Sequence, residues 1–124
     1  MRIRIRKEKK FTIGKLFVIL YVFNIIARKT LLEYANSHPA AKMALLEWYH
    51  ELLNSDFGNF NELKQVYENA SIVADDRVVF NIMGNHYRLI VRMVFEYRTI
   101  QVKWFGTHAE YDRIDVSSIQ HKKK

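Results

Sequence analysis

Arg77-Val-Val-Phe-Asn-Ile-Met83, Gly84-Asn85, His86-Tyr-Arg-Leu-Ile-Val-Arg-Met-Val-Phe95 and Thr99-Ile-Gln-Val-Lys-Trp-Phe105 carry the pattern that decides the fold. In each long run apolar residues recur at every second position, the period of a half-buried strand. Val78, Phe80 and Ile82 share one face of the first run; Tyr87, Leu89, Val91, Met93 and Phe95 share one face of the second. Ile100, Val102 and Trp104 do so in the third. Gly84-Asn85 is a two-residue hairpin signal, because both residues accept the positive φ that such turns demand. That loop places Met83 opposite His86, and every further pair follows. Ile82 then meets Tyr87, Phe80 meets Leu89 and Val78 meets Val91, all apolar. On the other face Asn81 lies opposite Arg88, and Arg77 opposite Arg92.

The next turn, centred on Tyr97-Arg98, sets Phe95 opposite Ile100, Met93 opposite Val102 and Val91 opposite Trp104. Its polar face brings Arg92 opposite Lys103. Tyr-Arg is poor chemistry for a tight primed turn; a four-residue loop from Glu96 to Thr99 keeps this pairing, and a bulge breaks it. The expected result is a row of Arg77, Arg92 and Lys103 across three strands, with Arg88 nearby. Like charges directly opposite cost a few tenths to about 1 kcal/mol per pair. An anion bound there would repay that cost, and phosphate suits it, since Arg offers bidentate hydrogen bonds as well as charge. A solvated sheet face, or neutralisation by glutamates of the helices, is the alternative. Val79, Ile90 and Val94 share the face, so part of it is covered or forms a groove wall.

Upstream the period is helical. Thr30–Asn36 is a short helix with Leu31, Leu32 and Tyr34 on its apolar side. Pro39 sits where a first turn tolerates it, and Ala40–Leu53 follows with good helix formers. Met43, Leu46, Tyr49, His50 and Leu53 form its expected buried stripe. A loop at Asn54–Asn59 leads to a third helix, Asn61–Tyr67. Val22–Ala27 reads as a buried strand. The fold class is α+β: an N-terminal strand and helices packed on an antiparallel β-meander.

Composition bounds the function. The chain has 124 residues, no cysteine and one proline, and 49% of it is hydrophobic. That is one domain with a true core; a wholly disordered chain, a disulfide scaffold and thiol chemistry are excluded. The formal charge of +7 is unevenly spread: residues 1–22 carry +6, Lys122–Lys124 add +3, and the stretch between them is −2. Within it, residues 23–76 total −4 and Arg77–Arg113 total +3. The basic signal that bears on function therefore lies in the strands. Residues 1–21 read as a basic and apolar extension outside the fold, 22–120 as a single domain and 121–124 as a basic tail. The apolar run Leu16–Ala27 is too short for a bilayer, which needs roughly 20 residues. It also lacks the small-x-small signature of a cleaved signal, so no membrane association is expected.

Gly106-Thr-His-Ala-Glu-Tyr-Asp112 follows the last strand. Thr107-x-x-Glu110 is a capping box, marking a helix start. His108, Tyr111 and Asp112 are spaced i, i+3 and i+4, on one helical face. A histidine oriented by a carboxylate serves as general acid or base near neutral pH. A tyrosine hydrogen-bonds phosphate or stacks on a base. The plainer alternatives are a first-turn surface histidine and a core tyrosine. His38, His50, His86 and His121 show no ligand spacing with His108, so no metal is expected; no phosphate-loop, nucleophile-elbow or dinucleotide fingerprint occurs.

Arg77-Val-Val-Phe-Asn-Ile, Gly84-Asn-His-Tyr-Arg-Leu-Ile-Val-Arg and Phe105-Gly-Thr-His-Ala-Glu-Tyr-Asp-Arg-Ile resemble the HigB family. Ala27-Arg-Lys-Thr-Leu, Ser37-His-Pro-Ala-Ala and Leu46-Glu-Trp-Tyr add to the resemblance, which spans Phe23 to Ile119. These are mRNA interferase toxins of type II toxin–antitoxin modules with a RelE-like fold. The resemblance implies a cytoplasmic endoribonuclease that cuts mRNA without a metal or cofactor, in relatives often on the ribosome. It also implies a helix-turn-helix, HigA-like antitoxin that neutralises it. Carried over, His108, Tyr111 and Arg88 would be catalytic, with His108 as acid or base, or with Tyr111 in that role and His108 positioning. Arg77, Asn81, Arg92 and Lys103 would bind RNA. Residues 1–21 have no counterpart in the family, and an upstream start choice, with translation beginning near Val22, would account for them. A non-catalytic RNA-binding module using the same cationic face is the competing function, and a small membrane-associated protein a more distant one.

Overall fold

The computed structural model describes residues 23–26, 28–73 and 76–114. The readings made of the 1–21 extension, of Val22 and Ala27, and of residues 115–124 lie outside the described residues. The chain runs β1 (Asn24–Ile26), α1 (Arg28–Ser37), α2 (Lys42–Leu53), α3 (Phe60–Val66), β2 (Ser71–Val73), β3 (Arg77–Ile82), β4 (Tyr87–Val94), β5 (Thr99–Thr107) and α4 (His108–Asp112). One five-stranded sheet has the order β1-β5-β4-β3-β2. β2 to β5 are an antiparallel meander, and β1 joins β5 in parallel. The expected α+β arrangement holds.

Alternation builds the core. Val78, Phe80 and Ile82 of β3, Leu89, Val91 and Met93 of β4, and Ile100 and Val102 of β5 are buried in one cluster with Leu31, Leu45, Trp48, Leu52 and Leu63 of the helices. The expected stripe of α2 is corrected in part: Tyr49 and Leu53 pack against the core, but two of its members do not. Met43 is 69% exposed and His50 is exposed, while Leu45, Trp48 and Leu52 face the core. Both sets have helical spacing, so period alone cannot choose between them. Trp48 decides it by packing edge-on against Phe80, 5.4 Å between ring centres.

The β3–β4 hairpin has every expected pair, from Ile82 with Tyr87 to Arg77 with Arg92. The turn itself differs from expectation: the positive φ falls on Met83 and Gly84, at 57° and 65°, rather than on Gly84 and Asn85, and the ladder closes at Ile82 and Tyr87. The β4–β5 register differs from expectation in two steps. Phe95 leaves the ladder to pack edge-on against Phe60 and Phe23, at 4.8 and 5.8 Å. The loop is therefore Phe95–Arg98, a 3-10 turn closed by Arg98 at φ 51°, and Val94 faces Thr99. Arg98 holds that conformation because its guanidinium lies 3.9 Å from the Phe23 ring centre and donates to the Phe57 carbonyl. This shift makes Met93 face Ile100 and Val91 face Val102.

A bulge then inserts Lys103 between the Val91–Val102 and Ile90–Trp104 pairs. Arg92 consequently pairs with Gln101 rather than Lys103. The extra residue reverses the parity of everything after it. Trp104, expected on the core face, lies on the opposite face, and Phe105 is buried in its place. Phe105 stacks on Tyr87 and Tyr34, at 5.3 and 5.6 Å.

Gly106 sits where the new parity brings the Trp104 indole across the strand. A Cβ there would stand 2.6 Å from the indole Cη2 and 2.6 Å from Glu110 Oε1, which caps the next helix. Gly106→Ala is accordingly expected to lower unfolding free energy by about 1–3 kcal/mol. Urea denaturation measures this, and Trp104→Ala in the same chain should return part of the loss.

Candidate active site

The register sorts the outer face of the sheet into three rungs. Asn81, Arg88 and Gly106 form the rung next to α4. Val79, Ile90 and Trp104 form the middle one, and Arg77, Arg92 and Gln101 the third. Val79 and Ile90 are buried yet stand apart from the main core.

In the third rung the expected cations do meet, around an anion that the chain supplies itself. Asp76 Oδ1 accepts from Arg77 Nη1 at 2.7 Å, and Asp76 Oδ2 accepts from Arg92 Nε at 2.7 Å. Its backbone carbonyl accepts from Met93 N at 2.9 Å, which fixes the residue at the head of β3. The Arg77 side chain is 7% exposed and that of Arg92 40%. Arg77 is thus a buried structural cation, whereas Arg92 still presents its edge to solvent. The bulge directs Lys103 toward the same cluster. Its ammonium is held below the usual lysine range, first by burial and then by Arg77 and Arg92, with Asp76 acting in the opposite sense.

In the first rung Arg88 is tied to the hairpin turn. Nη2 donates to Asn85 Oδ1 at 2.8 Å, and Nη1 donates to the Asn85 and Tyr87 carbonyls at 3.2 and 3.1 Å. Its guanidinium carbon stands 6.0 Å from the centre of the Tyr111 ring. Tyr111 is placed by α4, whose start is fixed by the expected capping box. Thr107 Oγ1 accepts from Glu110 N at 3.1 Å, and Glu110 Oε1 accepts from Thr107 N at 2.8 Å. His108 N donates to the His86 carbonyl at 2.9 Å, so the helix start is tied to the β3–β4 turn as well.

His108 Nδ1 lies 3.4 Å from Asp112 Oδ2, an electrostatic contact without hydrogen-bond geometry. The His108 side chain is 43% exposed and lines an open cleft of about 480 Å³ with Asn85, Tyr87 and Thr107. The structure therefore brings Arg88 to Tyr111, and His108 to Asp112. No hydrogen bond or ring contact joins His108 to Arg88. Asn85 links the two groups, since it lines the cleft and holds Arg88.

A model of the HigB toxin family, described as the RelE-like toxic component of a toxin–antitoxin system, matches residues 41–114. The chain belongs to the HigB toxin family. The mRNA interferase toxin HigB of Escherichia coli strain K12 is 28% identical over 91 residues, covering 72% of this chain and 88% of that protein. The mRNA interferase HigB of Shigella flexneri aligns with the same identity and coverage. That of Escherichia coli O6:H1 is 27% identical over 93 residues, 73% of this chain and 90% of the relative. The matched HigB region contains every candidate site residue. Among the described residues no helix is long and apolar enough to cross a membrane.

Sequence reasoning missed Asp76, Asn85 and Trp104. Asp76 precedes a cationic strand position, which is a signal for a charge partner at the strand mouth. Asn85 was read only as a turn residue. Trp104 was hidden by the bulge.

Two outcomes follow from the charge cluster. Asp76→Asn leaves Arg77 buried beside a neutral amide and should cost about 1–3 kcal/mol of stability, measured by chemical denaturation. Lys103→Gln removes a like charge and should be neutral or stabilising by up to about 1 kcal/mol at pH 7. The folded chain releases the Lys103 proton at lower pH than the unfolded chain, whose lysines titrate near about 10.4. Between those two points the unfolded state binds more protons, so stability rises with pH. Comparing wild type with Lys103→Gln from pH 8 to 10 isolates that rise; the variant should lack it.

Proposed function

We infer that the chain is the toxin of a type II toxin–antitoxin pair and an endoribonuclease acting on mRNA. The observation that carries this reading is the alignment with curated mRNA interferases over nearly their whole length, with the candidate residues inside it. Single-stranded RNA would lie across the outer sheet face, its phosphates on Arg88 at one rung and Arg92 with Lys103 at the other. Asn81, paired with Arg88 across the strands, is a further RNA contact. Arg77 supports Asp76 and Arg92 from below.

In the proposed reaction a ribose 2′-hydroxyl gives up its proton and its oxygen attacks the adjacent phosphorus. The bond from phosphorus to the 5′-oxygen breaks, and that oxygen takes a proton. The products are a 2′,3′-cyclic phosphate and a 5′-hydroxyl end. His108, with the Asp112 carboxylate 3.4 Å from its Nδ1, is assigned a proton transfer, which such groups accelerate by about 10² to 10⁴. Arg88, held by Asn85, stabilises the charge that develops on phosphorus. Tyr111 contacts the RNA beside Arg88; the reverse assignment makes Tyr111 the proton donor and His108 the positioning group. The route uses the chain's own side chains and no cofactor. The substrate is proposed to be ribosome-bound mRNA in the cytoplasm. The neutralising partner is proposed to be a HigA-like antitoxin with a helix-turn-helix domain, and residues 22–120 to be the toxin domain.

Single-turnover cleavage of a reporter mRNA, with and without ribosomes, tests the assignment. His108→Ala should lower the rate by about 10² to 10⁴. Arg88→Ala should lower it comparably, by about 10² to 10³, as losing an oxyanion donor does. His108→Ala should keep wild-type melting behaviour; Arg88→Ala loses its bonds to Asn85 and Tyr87 and should melt slightly lower while staying folded at the assay temperature. Unchanged cleavage in both would remove these residues from the mechanism; no cleavage by wild type under either condition would favour the non-catalytic RNA-binding module.

A further inference from the structure

The middle rung of the outer face is not needed by the chemistry above, and it contains a tryptophan. Trp104 is partly exposed and lies outside the main hydrophobic cluster, beside buried Ile90 and Val79. The bulge at Lys103 alone puts it there. We propose that Trp104, with Tyr111, forms a platform on which an unpaired nucleobase of the RNA stacks between the two cationic rungs. This rests on the reading of the chain as an RNA-cleaving toxin.

Four observations converge on it. The Trp104 and Tyr111 rings are 6.2 Å apart at 52°, and the Arg88 guanidinium follows at 6.0 Å from Tyr111. Indole, phenol and guanidinium thus form one continuous row of flat groups, each able to stack on a base. Gly106 lets the indole lie across the strand, since a Cβ would meet Cη2 at 2.6 Å and Cζ2 at 2.8 Å. Glycine inside a strand weakens it and marks a close approach, so seating the indole over buried Gly106 has a structural cost.

Spacing supplies the third observation. Arg88 and Arg92 stand four residues apart on β4, about 13 Å at strand rise, and Ile90, which Trp104 faces, is midway. One phosphate cannot reach both arginines, but a stretch of single strand can, and its intervening base then falls over the indole. The fourth is chemical economy. An aliphatic side chain like those of Val79 and Ile90 would cover the rung equally well, whereas an aromatic face adds base stacking. Such stacking tolerates any base, so Trp104 contributes affinity and registration of the strand more than sequence choice.

The test uses the full chain under the condition in which wild type cleaves. Trp104→Leu should raise the RNA concentration for half-maximal single-turnover cleavage by about 5- to 150-fold, the worth of one stacked base. The maximal rate should change little, and Trp104→Phe should restore most of the affinity. A second measurement needs no variant. Trp48 is buried at 3% exposure and Trp104 is the part-exposed tryptophan among the described residues. Saturation with a 2′-O-methyl oligoribonucleotide, which lacks the attacking hydroxyl, should quench wild-type fluorescence and shield it from acrylamide. Folded Trp104→Leu that saturates like wild type, or acrylamide quenching unchanged by bound oligonucleotide, overturns the platform while leaving the nuclease reading in place. A wild type that neither binds nor cleaves RNA overturns both.

Discussion

One additional residue in β5 organises most of what distinguishes the two faces of the sheet. Strand side chains alternate, so an insertion at Lys103 reverses the assignment of every later position. Phe105 turns inward and completes a stack with Tyr34 and Tyr87, with His38 edge-on at 5.1 Å. Trp104 turns outward, and Lys103 joins Arg77 and Arg92. Removing the insertion would exchange Phe105 and Trp104 between core and surface. The bulge also sets the parity with which β5 enters α4, and hence where His108 and Tyr111 stand.

The second governing term is electrostatic. Three cations on adjacent strands repel, and burying Arg77 adds desolvation to that repulsion. Asp76 answers both with two 2.7 Å charge-assisted contacts from one carboxylate. Its carbonyl also accepts from Met93 N, so the residue is held at the end of the β3–β4 ladder. The carboxylate that bridges Arg77 and Arg92 is Asp76, at the head of β3. What remains for an outside anion is the exposed edge of Arg92, Lys103, and Arg88 at the far rung.

The legible parts of the sequence were those in which a local signal fixes geometry. Gly84-Asn85 pointed to six cross-strand pairs, and all six are present, because a turn centred there gives the same register even though the positive φ falls one residue earlier. Thr107 and Glu110 marked the start of α4 because each side chain satisfies a backbone donor of the other residue. The β4–β5 pairing was not legible in the same way. Phe95 suits a strand face, and only its tertiary contacts with Phe23 and Phe60 draw it into the loop. The bulge leaves alternation intact on either side of itself, so Ile100, Val102 and Trp104 read as one face. In α2, Met43 and Trp48 belong to competing stripes of equal periodicity, and the larger ring won through its contact with Phe80. For the site, Arg88, His108 and Tyr111 were visible as residue types, while their separation into two groups bridged by Asn85 required the turn itself.

The described sheet ends in strands of three residues on each side, Asn24–Ile26 and Ser71–Val73. A short edge exposes few unpaired backbone groups, and so it gives an incoming strand little to pair with. Association through added β-structure is thereby discouraged, both between copies of the chain and with a partner. A partner meeting these described edges would find few backbone groups to pair with, so its selectivity would rest on surface shape and charge.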